Sequence, residues 1–391
     1  MEQAYRLFVP SSSEMLKLRK IADEFMSILM ENASDKDINV NFKFSGSYAK
    51  GTWIKGESDI DILGIFEKES EIEKLENLVP DNFVETFGTR KYFRGYFKNM
   101  EIEVVPVVKF SDISKVKNSI DLSVLHADYI NSKLSPAQKM DVIILKALCK
   151  ANNCYGSETY MRGFSGYVLE VLIDKFGSLK TLAENVEKWD DKVFLDNVKT
   201  KENYSIFLSD PTNPSRNICA SVSSENLSKF VFSLKLLKAY PNINLFLESN
   251  VRDIINKQSR LRGAKLFTFT TKIKEPKDIF LSKYVKNVGK LIDELKRNDI
   301  SIYSADFDYS RNEAKLFIQI ANFPRTATRI VYGPSAFSSS EILENFLKSH
   351  KNVFVSGNRL AYDKAYGIKD FNKFILIKIK EYMSQKSILD N

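Results

Sequence analysis

The chain has 391 residues, of which 43% are hydrophobic and 28% charged, and its 58 basic and 50 acidic residues give a net charge of +8. This length is too great for a single core, so two to four domains are expected. The composition is that of an ordinary globular protein, and the positive charge suits a polyanionic partner without identifying one.

Cysteine and histidine are scarce in this sequence. Cys149, Cys154 and Cys219 form no CxxC pair, and the two histidines are His126 and His350. These numbers argue against a structural zinc site and exclude a disulfide framework. The N-terminal segment carries an early acid and no apolar core, so it does not resemble a signal peptide. No apolar run approaches the roughly 20 residues of a membrane span, and we expect a cytoplasmic protein.

The first third of the chain predicts a helix followed by strands. A serine cap, Glu14 and apolar residues at helical spacing predict an amphipathic helix over 11–34. Alternation in INVNFKFSGSY predicts a strand that runs into a turn at Gly46-Ser47. SDIDILGIF and MEIEVVPVV predict two further strands, with a surface helix, SEIEKLENL, between them.

Near residue 135 the pattern becomes helical. Ser135 as the cap, Pro136 at the first helical position and Gln138 completing a capping box predict the start of a helix. The helical pattern continues to about 258 through GFSGYVLEVLIDKFGSLKTLAENVEKW and SENLSKFVFSLKLLKAY. A loop with two prolines, LSDPTNPSRN, interrupts it.

Strands return from about residue 263. AKLFTFTTKIK, a helix, and then ISIYSADF and EAKLFIQIANF predict a β-α-β-β series, which is typical of a small α+β domain with an open sheet. We therefore predict a multidomain α+β protein. Its parts are a catalytic domain over 1–134, a helical central domain over 135–258, and a C-terminal α+β body with a short tail over 259–391.

Two aspartates occur in a segment whose other residues predict burial. Asp59 and Asp61 fall on one face of the predicted strand, while Ile60 and Ile62 face the core. Two carboxylates so close together raise each other's pKa, so stability alone does not favour them. A divalent cation removes that penalty, and hard cations such as Mg²⁺ take oxygen ligands. The alternative is an exposed strand end with two solvated acids.

A second feature lies upstream of these acids. Gly46 and Ser47 follow a strand, where a close backbone approach and a hydroxyl group suit a phosphate, and Lys50 and Lys55 add positive charge. A phosphate-binding turn and a carboxylate pair are what nucleotidyl transfer requires. Two metal ions roughly 3.5–4 Å apart can clamp the attacking hydroxyl and the leaving pyrophosphate.

This order of Gly-Ser, a spacer and D-x-D resembles the nucleotidyltransferases related to polymerase β. The segments IEVVP, ILKALCKANNCYGSETYMRGFSGYVLEVLI and DPTNPSRNICASVSSENL resemble, more narrowly, the archaeal-type (class I) CCA-adding enzymes. YGP and LENFLKSHKNVFVSGNRLAYD resemble the start of that family's tail. The resemblance runs from about residue 7 to 378.

The resemblance implies template-independent addition or repair of the 3′-terminal CCA of tRNA from CTP and ATP, with release of pyrophosphate. It implies two Mg²⁺ ions held by Asp59, Asp61 and a third acid. Glu101 and Glu103 share a face of the neighbouring strand, and the family aspartate falls on Glu103. The nucleotide-binding residues it implies are Gly46, Ser47, Lys50, Ser123, His126, Lys146, Tyr155, Arg162 and Arg216. At 122 the family has an arginine, and this chain has a leucine.

Each of these residues also has a structural interpretation when taken alone. Lys146 lies in a lysine-rich helix and would be solvated, Tyr155 would pack, and His126 would be a structural histidine. Arg162 and Arg216 stand beside turn residues and could cap helices. The family resemblance, not the chemistry of any single residue, favours the nucleotide site.

The partner that the resemblance implies is tRNA, bound by shape along the phosphates of its acceptor and T arms. The basic segments 257–265 and 323–329 suit phosphate contact, with a solvated charged face as the alternative. Two other functions stay open. One is another polymerase β-like nucleotidyltransferase, such as a poly(A) polymerase or an oligonucleotide synthase, and the other is an inactive RNA-binding protein of the same fold. A homodimer is also left open.

Overall fold

The computed structural model describes residues 1–57, 59–87, 90–113, 116, 118–197, 202–247, 251–298, 300–310, 312–321 and 326–384. The chain forms two compact units, Met1–Glu248 and Ser249–Asn391. No helix within these described ranges is both long and apolar enough to cross a membrane. The three cysteines are buried free thiols.

Among its described residues, the first unit has eight α-helices, one large sheet and two small sheets. The helices are α1 (Glu2–Phe8), α2 (Ser12–Asp35), α3 (Gly46–Lys50), α4 (Ser123–Lys133), α5 (Pro136–Ala151), α6 (Gly166–Phe176), α7 (Leu179–Asn185) and α8 (Ser224–Ala239). The strands are β1 (Asn41–Ser45), β2 (Ile60–Phe66), β3 (Val84–Phe87), β4 (Lys91–Phe97), β5 (Met100–Val108), β6 (Val193–Phe194), β7 (Ile206–Phe207), β8 (Ser209–Asp210) and β9 (Asn213–Asn217).

A five-stranded sheet in the order β1-β2-β5-β4-β3 carries the predicted carboxylates. β2 and β5 are parallel neighbours, and the other pairs are antiparallel. The alternation of β2 buries Ile60 and Ile62 in a core shared with Phe25 of α2, as predicted. Helix α2 begins with the predicted capping box of Ser11 and Glu14. Its amphipathic face therefore fixes the sheet that positions the site.

A second hydrophobic cluster in this unit is built by α5 to α8. Helix α5 starts with the predicted capping box of Ser135 and Gln138, with Pro136 in its first turn. The single helical run predicted after residue 163 is two helices, because Gly177 adopts a left-handed conformation with φ +81° and ends α6. Glu170, on α6, contacts the segment that joins β1 to β2 of the large sheet, as described below.

Several local predictions for this unit were wrong. The turn predicted at Gly46-Ser47 is the first turn of α3, and the predicted surface helix is a 3₁₀-helix over Glu69–Asn77. The predicted loop LSDPTNPSRN forms the β8–β9 hairpin, in which Asp210 pairs with Asn213. Strands β3 and β4 were not predicted. β3 pairs antiparallel with β4, and β4 pairs antiparallel with β5, a long-range arrangement that local alternation does not report.

The second unit contains two three-stranded sheets. Its helices are α9 (Val251–Arg262), α10 (Lys277–Arg297), α11 (Ser340–Ser349) and α12 (Ile368–Met383). Its strands are β10 (Lys265–Lys272), β11 (Ile302–Tyr309), β12 (Glu313–Ile320), β13 (Thr326–Ser335), β14 (Val353–Ser356) and β15 (Arg359–Gly367).

The predicted β-α-β-β series of the second unit is confirmed. β10, α10, β11 and β12 follow in that order, and the sheet order is β10-β12-β11. α10 buries Phe280, Tyr284 and Leu291. The second sheet, β13-β15-β14, was not predicted. The multidomain α+β class holds for the whole chain, while the division into three domains at 134 and 258 stays a prediction.

Candidate active site

Gly46 and Asp61 make the closest approach in the site. Gly46 begins α3 with φ +61°, a left-handed conformation that glycine adopts without strain. The pairing of β1 with β2 places Ser45 opposite Asp61. A Cβ built on Gly46 would lie 1.6 Å from Asp61 Oδ2. Only glycine therefore lets the backbone of α3 lie against this carboxylate.

The three predicted carboxylates lie around the start of β2. Asp59 is exposed and directly precedes the strand, Asp61 is half-buried on it, and Glu103 is opposite Asp61 in the parallel register of β5. The pKa of Asp61 is raised to about 7, first by burial and then by the negative charges of Asp59 and Glu103. Lys50 and Arg94 oppose this shift. A cation bound to these acids would relieve the repulsion.

Arg94 on β4 forms an ion pair with the carboxylate of Glu103. Its Nε donates to Glu103 Oε1 at 2.7 Å and lies 3.2 Å from Glu101 Oε1. Burial raises the pKa of Glu103, and the Arg94 charge opposes the shift. Among the described residues, no three His, Cys, Asp or Glu side chains converge closely enough to hold a metal ion. The donor chemistry of Asp59 and Asp61 fits Mg²⁺, and Glu103, whose Oε1 accepts from Arg94, offers its Oε2 as a further oxygen ligand.

A buried network of two lysines and one glutamate lies beside the carboxylates. Lys50 Nζ, at the end of α3, donates to Glu170 Oε2 at 2.6 Å, and Lys146 Nζ on α5 donates to Glu170 Oε1 at 3.0 Å. Thr52 Oγ1 donates to the same Oε1 at 2.6 Å. Glu170 is fully buried and Lys146 is 3% exposed, so the interpretation of Lys146 as a solvated residue is wrong.

The network contains two basic side chains and one acidic side chain. Burial raises the pKa of Glu170, but Lys146 and Lys50 outweigh burial and lower it to about 2. Burial also lowers the pKa of Lys146, which the charge of Glu170 opposes. Two ammonium groups share one carboxylate, so the network carries an excess positive charge in a place from which water is excluded. Such a charge attracts a polyanion such as a triphosphate.

Tyr155 lies next to this network. A Cβ built on Gly166 would lie 3.1 Å from the Tyr155 hydroxyl and 3.2 Å from Lys146 Nζ, so these two groups flank the start of α6. Lys150 Nζ lies 5.2 Å from the centre of the Tyr155 ring and pairs with Glu57. Burial raises the pKa of Tyr155, so its hydroxyl stays protonated and able to donate.

Asp210 joins His126 and Arg216, two residues implied by the family resemblance. Asp210 is fully buried on β8, and Arg216 Nη1 donates to its Oδ2 at 3.1 Å. His126 Nε2 lies 3.4 Å from the same oxygen, and its ring stacks on Tyr167 at 3.9 Å between centroids. Lys50 Nζ lies 5.7 Å from the centre of the Tyr167 ring, which places this cluster next to the lysine network.

The remaining predicted residues are less closely joined. Ser47 lies within α3, and its carbonyl accepts from the amide of Thr52 at 3.0 Å. Ser123 begins α4, three residues before His126, and is half-buried. Arg162 has an exposed side chain and φ +53°, and its carbonyl accepts from the amide of Ser223 at 2.9 Å. The buried Leu122 occupies the position at which the family has arginine.

Sequence reasoning missed five residues that complete the site. These are Thr52, Arg94, Tyr167, Glu170 and Asp210. Tyr167 and Asp210 lie inside the segments RGFSGY and DPTNPSRN, which carried the resemblance. Glu170 had a signal of its own, since one acid in the apolar run GYVLEVLI is unusual for a buried helix. Arg94 had none.

Comparisons with known proteins agree with this geometry. The family model for a nucleotidyltransferase domain matches residues 26–126, and that for the second domain of tRNA nucleotidyltransferase matches 140–247. The chain is 28% identical to the CCA-adding enzyme of Pyrococcus abyssi, over 91% of this chain and 84% of that protein. It is 26% identical to that of Sulfolobus acidocaldarius, over 100% and 90%, and 26% identical to that of Nanoarchaeum equitans, over 94% and 94%.

Among solved structures, that of a cytoplasmic RNA terminal U-transferase is similar over 64% of this chain and 98% of its own, with 15% identity and a TM-score of 0.48. A similarity of this size carries no further conclusion. The sheet with its carboxylates and the adjoining lysine network define a polymerase β-like nucleotidyltransferase. Within that class, the chain is similar over nearly its full length to archaeal CCA-adding enzymes.

Proposed function

We propose that this chain adds or repairs the 3′-terminal CCA of tRNA from CTP and ATP without a template and releases pyrophosphate. The observation that carries the proposal is the contact between Gly46 and Asp61. It sets a half-buried carboxylate with a raised pKa against a short helix that ends at Lys50. Such a site can bind a cation and a phosphate side by side. The relatives that share nearly the full length of the chain are CCA-adding enzymes.

The acids and the cations have separate tasks in this proposal. Asp59, Asp61 and Glu103 would hold Mg²⁺, which when bound supplies activation of the tRNA terminal hydroxyl and neutralisation of charge at the α-phosphate. Ser47 offers a hydroxyl to the phosphates. Lys50, Lys146 and the Tyr155 hydroxyl orient the triphosphate, because they form one network at the start of α6. No side chain needs to transfer a proton.

Base choice falls to Arg216 in this proposal. A guanidinium group only donates hydrogen bonds, and at 37% exposure that of Arg216 is accessible to a ligand. Cytosine and adenine both present an unprotonated ring nitrogen on the Watson–Crick edge, whereas uracil and guanine carry a proton there. A donor that is fixed opposite that nitrogen therefore accepts C and A and rejects U and G. His126 Nε2 lies 3.4 Å from the carboxylate that holds Arg216, which places the imidazole beside the proposed base site.

Docking of tRNA is the task we assign to the second unit. α9 carries Lys257, Arg260 and Arg262 near its C-terminal end. Arg262 Nη1 donates to Gln319 Oε1 at 3.1 Å, which attaches the helix to β12, while Arg260 is exposed. Residues 323–325 of the second basic segment lie outside the described residues. Phosphates of the acceptor and T arms are the expected contacts.

The decisive experiment incubates the chain with tRNA that lacks CCA, and with CTP and ATP separately and together. We expect incorporation of C from CTP alone, no incorporation from ATP alone, and completed CCA from both. A poly(A) polymerase or oligonucleotide synthase would elongate with ATP alone and ignore CTP. A chain that binds the tRNA but incorporates neither nucleotide would be an inactive RNA-binding protein. Asp61→Ala serves as the inactive control.

Three further parts of the proposal have direct measurements. Replacing Mg²⁺ by a chelator should stop incorporation, and adding Mg²⁺ back should restore it. Cell fractionation tests the cytoplasmic location. Sedimentation of the purified chain decides between a monomer and a homodimer.

A further inference from the structure

The two oxygens of the Asp210 carboxylate have different partners. Oδ1 accepts from the Tyr167 hydroxyl at 2.9 Å, from the Thr212 amide at 2.9 Å and from Thr212 Oγ1 at 2.8 Å. Oδ2 faces Arg216 Nη1 at 3.1 Å and His126 Nε2 at 3.4 Å. One oxygen is therefore bonded to the fold, and the other accepts a hydrogen bond from Arg216 and lies near His126.

Asp210 itself cannot touch a ligand, because it is fully buried. Arg216 is half-exposed, and Asp210 occupies one of its guanidinium nitrogens, so the remaining donors of this planar group keep a direction set by that contact. Asp210 lies on β8 and Arg216 on β9 of the same short hairpin. The hairpin thus supplies both the charged side chain and the group that orients it.

The cluster also borders the phosphate side of the site. The Tyr167 ring stacks on His126, and Lys50 Nζ lies 5.7 Å from the centre of that ring. Lys50 is in turn one of the cations that lower the pKa of Asp61. A contact made through Asp210 is therefore next to the groups that would bind the triphosphate.

We propose that Asp210 is a positioning residue for base selection. It fixes the guanidinium of Arg216, so that the donors of Arg216 meet the Watson–Crick edge in one orientation. This inference rests on the proposed function. Uracil and guanine carry carbonyl acceptors elsewhere on that edge, which an arginine free to rotate can reach and a fixed arginine cannot. Fixing Arg216 therefore converts a general donor into a selective one.

The test measures kcat/KM for CTP against UTP on tRNA lacking CCA, and for ATP against GTP on tRNA ending in CC. Asp210→Asn keeps an acceptor for Thr212 and removes the charge that holds Arg216. We expect both ratios to fall by about tenfold, which is the effect of losing one charged hydrogen bond. The loss should be larger for CTP and ATP than for UTP and GTP, because only bases with an unprotonated ring nitrogen meet the donors of Arg216.

A double variant separates action through Arg216 from a general structural effect. Arg216→Ala alone should lower the ratios, and adding Asp210→Asn to it should lower them no further. A further loss of similar size in the double variant would overturn the proposal. So would an Asp210→Asn variant whose ratios stay within about twofold of the wild type, given that a tenfold change is expected.

Asp141→Asn is a matched control. Asp141 also accepts from a tyrosine hydroxyl, that of Tyr5 at 2.5 Å, and from a backbone amide, that of Leu179 at 2.9 Å. Its replacement should lower the melting temperature and leave both ratios unchanged. If Asp210→Asn does not fold, Tyr167→Phe carries the test, because it removes one anchor of Oδ1 and keeps the ring. Lower ratios then support the role of Asp210, and unchanged ratios contradict it.

The outcome for the wild type keeps this inference separate from the proposed function. A wild-type chain that incorporates U as readily as C overturns the proposed function. A wild-type chain that discriminates, with an Asp210→Asn variant that discriminates equally well, overturns the role of Asp210 alone.

Discussion

Asp61 Oδ2 occupies the space in which a side chain at position 46 would begin, only 1.6 Å from a Cβ built on Gly46. The first turn of α3, to which we assign a phosphate, and the strand that carries the carboxylate therefore pack as one unit. Neither can shift without the other. Gly46→Ala tests this contact, and a glycine elsewhere in the chain supplies the matched control.

Gly46→Ala should lower nucleotide addition by more than about 100-fold, because a misplacement of about 1 Å at a reacting centre has an effect of this size. The backbone strain of the substitution contributes as well, since φ is +61°. Gly177→Ala has a similar φ of +81° with no atom within 4 Å of the new Cβ. That variant should lose stability and keep its activity per folded molecule. Equal losses of activity in the two variants would assign the effect to strain and not to Asp61.

The second prediction concerns the acids. Asp59→Ala or Asp61→Ala should abolish addition and leave the affinity for tRNA nearly intact. Glu103→Ala should lose activity by orders of magnitude, Glu103→Asp should stay partly active, and Glu101→Ala should lose little. The reason is register, because Glu103 pairs with Asp61 whereas Glu101 pairs with Tyr96. Incorporation of CMP and AMP by each variant measures this. Inactivity of Glu101→Ala alone would mean that the third acid is misassigned.

Glu170→Gln should lower the free energy of unfolding by about 3–5 kcal/mol near neutral pH, because it leaves two buried ammonium groups without a counter-charge. The pKa of Glu170 is lowered from 4.5 when unfolded to about 2 in the fold. Its contribution is therefore fully present above about pH 5 and is lost as the pH falls through 4.5 towards 2.

Urea unfolding of the wild type and Glu170→Gln at several pH values between 7 and 3 measures this contribution. The difference between the two should shrink as the pH falls below 5. Glu2→Gln is the control, because Glu2 forms an exposed pair with Arg6 that screening weakens. A difference that stays constant down to pH 3 would show that the Glu170 charge does not stabilise the fold.

The fourth prediction addresses docking. The affinity for tRNA should fall steeply with salt, with a log–log slope that gains about −0.7 to −0.9 for each phosphate contact. Arg260→Glu should weaken binding and make the slope shallower. Lys180→Glu changes the charge by the same amount on α7 of the other unit and should leave the slope unchanged. A slope near zero for the wild type would mean that tRNA is not held through its backbone.

Much of the first unit could be predicted because its signals are local. Each capping box, at Ser11 and at Ser135, lies within four consecutive residues. The alternation around Asp61 determines which side chains face the core. The parallel pairing of Asp61 with Glu103 has no such signal, since register between distant strands depends on packing of the whole sheet.

The lysine network shows the same limit within the site. Lys146 stands in a lysine-rich segment, and its burial follows from Glu170 and Thr52, which reach it from elsewhere in the chain. Arg94 lies in KYFRGYF, where nothing indicates that its guanidinium faces Glu103. The family resemblance could identify Lys146, His126 and Arg216 as a set. It could not give the carboxylates of Glu170 and Asp210 that hold them.

The neighbouring positions of β2 and β5 also bear on how the chain folds. Between these parallel strands the chain must first pass through a 3₁₀-helix and the β3–β4 hairpin. β1 and β2 can pair early, whereas Asp61 meets Glu103 only after this whole segment has returned to the centre of the sheet, and such long-range closure is slow. We expect pulsed hydrogen exchange during refolding to protect β1 before β5. On a chain emerging from the ribosome, Asp59 and Asp61 would then be present before Glu103 joins them. The site would stay incomplete until Val108 had been made and the sheet had closed.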